Sequence, residues 1–156
     1  MRILVIGFGN PGRTDDGLGV ALAEKVESWQ LPSLSTSIDC QLNPEHAAEV
    51  AEAELVIFID ASVETKAPYR ISKLIPAAKE ESTTHSMAPE TVLETCRKVY
   101  GKSPVAFLLE VRGEDFAIGE GLSSEAKLHL GEAERFLTHL FEPGFLPARC
   151  LEAAER

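Results

Sequence analysis

Cysteines, aromatics and basic residues are all scarce in this chain of 156 residues. The three cysteines, Cys40, Cys96 and Cys150, lie far apart with no C-x-x-C pair, which argues against a disulfide framework and a zinc module. Reduced thiols in a cytoplasmic protein are the expectation. Lys and Arg number 15 against 25 Asp and Glu, a formal charge of −10. Nucleic-acid binders carry a basic stripe, so no nucleic-acid partner is expected. No run approaches the roughly 20 apolar residues of a membrane span. The opening apolar stretch, Ile3 to Ile6, is too short for the core of a signal peptide. No membrane partner is therefore expected. What remains, 44% hydrophobic and 26% charged, is the mixture of a globular domain. A domain of about this size buries roughly two thirds of its unfolded surface and needs no staples.

Short apolar runs alternate with amphipathic stretches. Ile3-Leu4-Val5-Ile6 has the continuous β-branched character of a strand buried on both faces. A glycine-rich turn follows, and Leu18, Leu22, Val26 and Trp29 then recur at helical spacing until Pro32. A weaker strand is expected over Ile38–Leu42, with a short helix after Asn43-Pro44-Glu45. Leu55-Val56-Ile57-Phe58-Ile59 is the strongest buried-strand run, and it closes on Asp60. Tyr69 to Leu74 alternates like an edge strand, and Glu80 to Ser86 reads as a loop. Pro89 suits the first turn of a helix that Gly101 stops. A strand over Val105–Val111 comes next, followed by a helix capped by Ser123 with Ala126, Leu130, Ala133, Leu137 and Leu140 on one face. The pattern predicts an α/β fold, a single three-layer domain with a mostly parallel twisted sheet and helices on both faces. The domain is expected over 1–141, with 142–156 as a C-terminal tail.

In such sheets the functional crevice lies beyond the carboxyl ends of the strands. Gly7-Phe8-Gly9-Asn10-Pro11-Gly12 matches the dinucleotide pattern G-x-G-x-x-G. However, Asp15 and Asp16 sit where a pyrophosphate would rest on a helix N-terminus, and two carboxylates repel a phosphate. Helix capping accounts for one of the two acids, which frees Asp16 to face the crevice. Asp60 follows a strand expected to be central, so its carboxyl needs a partner or a proton. His85 lies in the polar Thr83-Thr84-His85-Ser86 segment. His46, His129 and His139 are expected at the surface. Two carboxylates and one imidazole from three strand ends form a set that suits a borderline divalent ion with open positions. They also suit the polarisation of a water for peptide hydrolysis.

The residues Gly7-x-Gly9-Asn10, Asp15-Asp16-Gly17-x-Gly19, the strand closing on Asp60, and Thr84-His85-Ser86 together resemble the hydrogenase maturation proteases. Gln41-Leu42 with Glu45, and Val111-Arg112-Gly113 leading to Gly119-Glu120-Gly121-Leu122-Ser123, are similar to the branch serving soluble or bidirectional hydrogenases. The resemblance implies an endopeptidase, and a monomer is expected. It would remove the C-terminal extension of a nickel-iron hydrogenase large-subunit precursor after nickel insertion. It also implies that Asp16, Asp60 and His85 contact nickel and carry catalysis, with Gly9, Asn10, Asp15 and Thr84 positioning the substrate. Several members of the family carry Glu where this chain has Asp16. The nickel would come from the substrate's own active site, and no organic cofactor is implied. Two routes to hydrolysis stay open: nickel positions the bond while a carboxylate activates water, or the ion acts as the Lewis acid. The alternatives are a nickel-sensing, chaperone-like partner that holds the large subunit without cutting it, and a peptidyl-tRNA hydrolase-like esterase. The acidic charge opposes the esterase.

Overall fold

The computed structural model describes residues 1–79, 87–142 and 147–155. Five strands form one sheet: β1 (Ile3–Phe8), β2 (Leu34–Asp39), β3 (Leu55–Ser62), β4 (Tyr69–Lys73) and β5 (Val105–Arg112). Their order is β2-β1-β3-β5-β4, with every pairing parallel except that of β4 with β5. The longest apolar run, β3, is therefore the central strand, as its composition predicted. Five helices accompany the sheet: α1 (Leu18–Ser28), α2 (His46–Ala51), α3 (Pro89–Tyr100), α4 (Ser124–Leu140) and α5 (Pro147–Glu155).

The period-2 alternation of the strands sorts the core into two layers. Val5, Leu55, Ile57, Ile59, Phe107, Leu109 and Val111 face one side and meet Leu22 and Val26 of α1 and Leu130 and Leu137 of α4. Leu4, Ile6, Val56, Phe58 and Ala106 face the other side and meet Val50 of α2 and Val92, Leu93 and Cys96 of α3. The result is the expected three-layer α/β domain. The punctuation signals also hold. Pro89 opens α3, Gly101 ends it in the left-handed region at φ 67°, and the Ser123 hydroxyl accepts the Ala126 N–H at the start of α4.

Two elements depart from the sequence expectation. The second strand runs over Leu34–Asp39 rather than Ile38–Leu42. It is an edge strand of small hydroxyl residues, and Leu34, Thr36 and Ile38 give too weak an alternation to mark its start. Within the stretch expected as a tail, α5 folds back on the sheet and places Cys150 in the α1/α4 layer, fully buried. Burial there pushes the Cys150 thiol up to about 12, which makes it a packing residue rather than a nucleophile. The segment is short and half polar, so a docked amphipathic helix looks like a solvated tail until its partner layer is known. Among the described residues no helix is long and apolar enough to cross a membrane. Truncation after Glu142 is expected to lower the stability measured by urea unfolding by about 2 kcal/mol or more, the worth of a buried apolar side chain or two. An unchanged midpoint would show that α5 contributes nothing to the domain.

Candidate active site

The turn after β1 has a shape that only glycine permits. Gly9 has φ 142°, and a Cβ on it would lie 2.1 Å from the backbone oxygen of Asp16. This close approach lays the Thr14–Gly17 3-10 turn against the strand end, where Asp16 Oδ2 accepts the Asn10 N–H at 2.8 Å. Asn10 Oδ1 accepts the Gly12 N–H at 2.9 Å and closes the turn. Gly19 does the equivalent for α1, since a Cβ there would lie 2.4 Å from Ile59 O and 2.6 Å from Phe8 O. The start of α1 thus sits directly on the ends of β1 and β3, which brings Asp16 beside Asp60.

The adjacent acids Asp15 and Asp16 have separate tasks. Asp15 is fully buried and caps neither the turn nor α1. It reaches across to the loop between β5 and α4, where it accepts the N–H groups of Glu114 (2.8 Å), Asp115 (2.9 Å) and Ser123 (2.7 Å) and the Ser123 hydroxyl (2.7 Å). Burial alone would raise its pKa, but these hydrogen bonds outweigh burial and hold the carboxyl below the ordinary range. The role shown is therefore structural, in place of the helix cap expected from sequence. Asp16 keeps its part-exposed position at the crevice.

Asp60 lies two residues before the end of β3, with Oδ1 accepting the Ala61 N–H at 2.8 Å. Loss of water raises its pKa most, the Ala61 bond pulls back, and the neighbouring Asp16 and Glu110 add to the rise, leaving the carboxyl at about 7. Glu110 stands directly opposite Asp60 in the register, and Arg70 stands opposite Glu110. Phe8 pairs with Asp39 on β2. Asp39, Asp60, Glu110 and Arg70 therefore share the α2/α3 face at the carboxyl end of the sheet. The sequence reading missed Asp39 and Glu110. The signal for Glu110 was the one that singled out Asp60, an acid ending an apolar strand run.

Of the residues expected to meet, Asp16 and Asp60 do so, whereas Thr84 and His85 lie outside the described residues. Among the described residues no group of three or more His, Cys, Asp or Glu side chains forms a metal-holding set. The two carboxylates still fit a cation, because a positive charge between them relieves the repulsion that Asp16 exerts on Asp60. The histidines correct the surface expectation in two cases. His46 is 3% exposed, its Nδ1 accepting the Asn43 N–H at 3.0 Å and its Nε2 lying 3.7 Å from Asp39 Oδ2. His129 is part-buried with Nδ1 2.9 Å from Arg112 O, while His139 is exposed.

No protein-family model matches the chain, and no curated protein matches it. Solved structures do. The hydrogenase maturating endopeptidase HybD from Escherichia coli is 26% identical over 92% of this chain and 94% of its own, with a TM-score of 0.71. In sequence and fold the chain is similar to the hydrogenase maturation proteases. The [NiFe] hydrogenase maturation protease HycI from Thermococcus kodakarensis shares the fold at 22% identity, covering 89% of this chain and 91% of that one, with a TM-score of 0.71. An endopeptidase from Escherichia coli does so at 24% identity, 93% and 95% coverage and a TM-score of 0.69. The chain thus presents Asp16 and Asp60 at the strand ends where α/β sheets carry their sites.

Two predictions test the separate roles of these acids. Asp15→Asn replaces an acceptor of four donors with a side chain that is half donor. It is expected to cost about 3 kcal/mol or more in urea unfolding. A loss below about 1 kcal/mol would contradict the clamp. For Asp60 the folded pKa of about 7 exceeds the ordinary 3.8, so its stability penalty is absent below that lower value and grows to a plateau as pH rises through 7. In chelator-treated protein, Asp60→Asn should melt above the wild type at pH 8, with the gain shrinking towards pH 4. An equal difference at both pH values would show that burial does not raise this carboxyl.

Proposed function

We propose that the chain is an endopeptidase that removes the C-terminal extension of a nickel-iron hydrogenase large-subunit precursor, and that it acts on the nickel-loaded form. The observation that carries this reading is the meeting of Asp16 and Asp60 at the ends of β1 and β3, on a fold shared with a hydrogenase maturating endopeptidase. Neither carboxylate is explained by the fold. The loops are held by Asp15 and by backbone pairs, without the Asp60 carboxylate.

Nickel enters as part of the substrate. Asp16 and Asp60 supply hard oxygen donors to its open positions, with His85 as the nitrogen donor that the family resemblance assigns. Such contact orients the adjacent peptide bond in the crevice, which is the larger part of what a positioning site contributes. A carboxyl poised near neutrality, as Asp60 is at about 7, is also suited to exchange a proton with water. The closed turn from Gly9 to Gly12 keeps Asp16 in place while the bond is held.

The test is incubation of the purified chain with nickel-loaded and nickel-free precursor, read by intact mass spectrometry. Cutting of the loaded form alone is expected, with Asp16→Ala, Asp60→Ala and His85→Ala each lowering the rate at least a hundredfold. Nickel-dependent complex formation without cutting would make the chain a holding partner rather than a peptidase.

A further inference from the structure

The two edges of the sheet are treated differently. Edge strands expose unpaired backbone groups, and proteins guard them with Lys, Arg, Pro or a covering element. The β4 edge has Pro68 before it, Arg70 and Lys73 on it, and α5 packed against it. The β2 edge, by contrast, reads Leu34-Ser35-Thr36-Ser37-Ile38 before it closes on Asp39, with its only proline, Pro32, outside the strand and no Lys or Arg on it.

The hydrogen bonds at either end of β2 define which groups are free. Ile3 N–H donates to Ser33 O at 2.9 Å, and Gly9 N–H donates to Asp39 O at 3.2 Å. In a parallel ladder alternate residues bond to the same neighbour, so Ser33, Ser35, Ser37 and Asp39 turn their backbone groups to β1. Leu34, Thr36 and Ile38 turn theirs outward. Leu31 O takes the Leu34 N–H, which among the described residues leaves the amides of Thr36 and Ile38 as the outward donors. Beside them a cavity of about 480 Å³ opens on the α2 side, because Ser35 and Ser37 are small and the six-residue α2 stops short of covering them. Arg2, Glu49 and Glu52 flank it.

We infer that the free edge of β2 receives an extended segment of the precursor polypeptide as a sixth strand, feeding the bond to be cut into the crevice. This inference rests on the endopeptidase reading above. The argument for this occupant is continuity with the site: β2 ends on Asp39, whose carbonyl takes the Gly9 N–H, and the next amide, Asn10 N–H, donates to Asp16. A sixth strand lies about 10 Å from β1 at the usual strand spacing, a gap that about three extended residues span. Main-chain bonds to Thr36 and Ile38 supply affinity. The cavity takes alternate side chains.

The test compares Ile38→Pro with Ile38→Ala. Both remove the exposed side chain, but only proline removes the outward N–H, a change that an edge strand accepts. With nickel-loaded precursor, Ile38→Pro is expected to bind at least tenfold more weakly than Ile38→Ala, with matching thermal midpoints. Hydrogen exchange on the unaltered chain gives a second readout that needs no variant: the Thr36 and Ile38 amides should slow at least tenfold when precursor is added. Equal binding of the two variants, or unprotected β2 amides in a chain that still cuts, would overturn the inference. So would protection of β2 without precursor in a concentration-dependent dimer, which would make a second copy the occupant. Protected amides without cutting would sustain strand addition and sink the endopeptidase reading instead.

Discussion

The buried carboxylate of Asp15 is the contact on which the architecture of the site depends. It lies between the turn after β1 and the loop that leads from β5 to α4, and it satisfies donors from Glu114, Asp115 and Ser123 at once. The Ser123 hydroxyl links this clamp to helix formation, because it donates to Asp15 while accepting the Ala126 N–H that starts α4. Backbone pairs reinforce the same seam, with Thr14 N–H on Gly119 O and Gly119 N–H on Gly12 O. A turn tied down in this way can hold Asp16 against Gly9 without help from Asp16 itself.

The second requirement is that the carboxyl ends of β1 and β3 be brought under one helix start. Gly19 meets it through backbone contact with Phe8 and Ile59, which no side chain would allow. The consequence is electrostatic as well as geometric. Asp60 loses water, faces Asp16 and Glu110, and rises to about 7. A group with that character is costly to the fold and useful to chemistry. Together with Asp39 and Arg70 it makes the α2/α3 face at this end of the sheet polar, where the same face lower down is packed with Val56, Phe58 and Ala106.

Much of this was legible along the chain. The central strand, the two faces of helices, the caps at Ser123 and Gly101 and the pairing of Asp16 with Asp60 all follow from local signals of period, punctuation and charge. The misplacements have a common cause. The β2 strand, the burial of His46 and the docking of α5 all occur where a weakly apolar or polar segment is covered by a distant part of the chain. His46 lies at the start of a short helix, which reads as surface unless the fold sets Asp39 and Asn43 around it. The separate tasks of Asp15 and Asp16 were equally hidden, since adjacent residues of one type give no hint of which turns inward.

The sequence by itself determined the fold class, the order of strands and helices as far as α4, and the presence of acids at the strand ends. These are readable because hydrophobic period and turn chemistry act over a few residues. Only the tertiary structure decided that Asp15 is a clamp, that Glu110 presses on Asp60, and that β2 is an edge strand of the sheet. Each of those depends on groups brought together from residues far apart in the chain, and burial, charge coupling and strand pairing exist only once the chain has closed on itself.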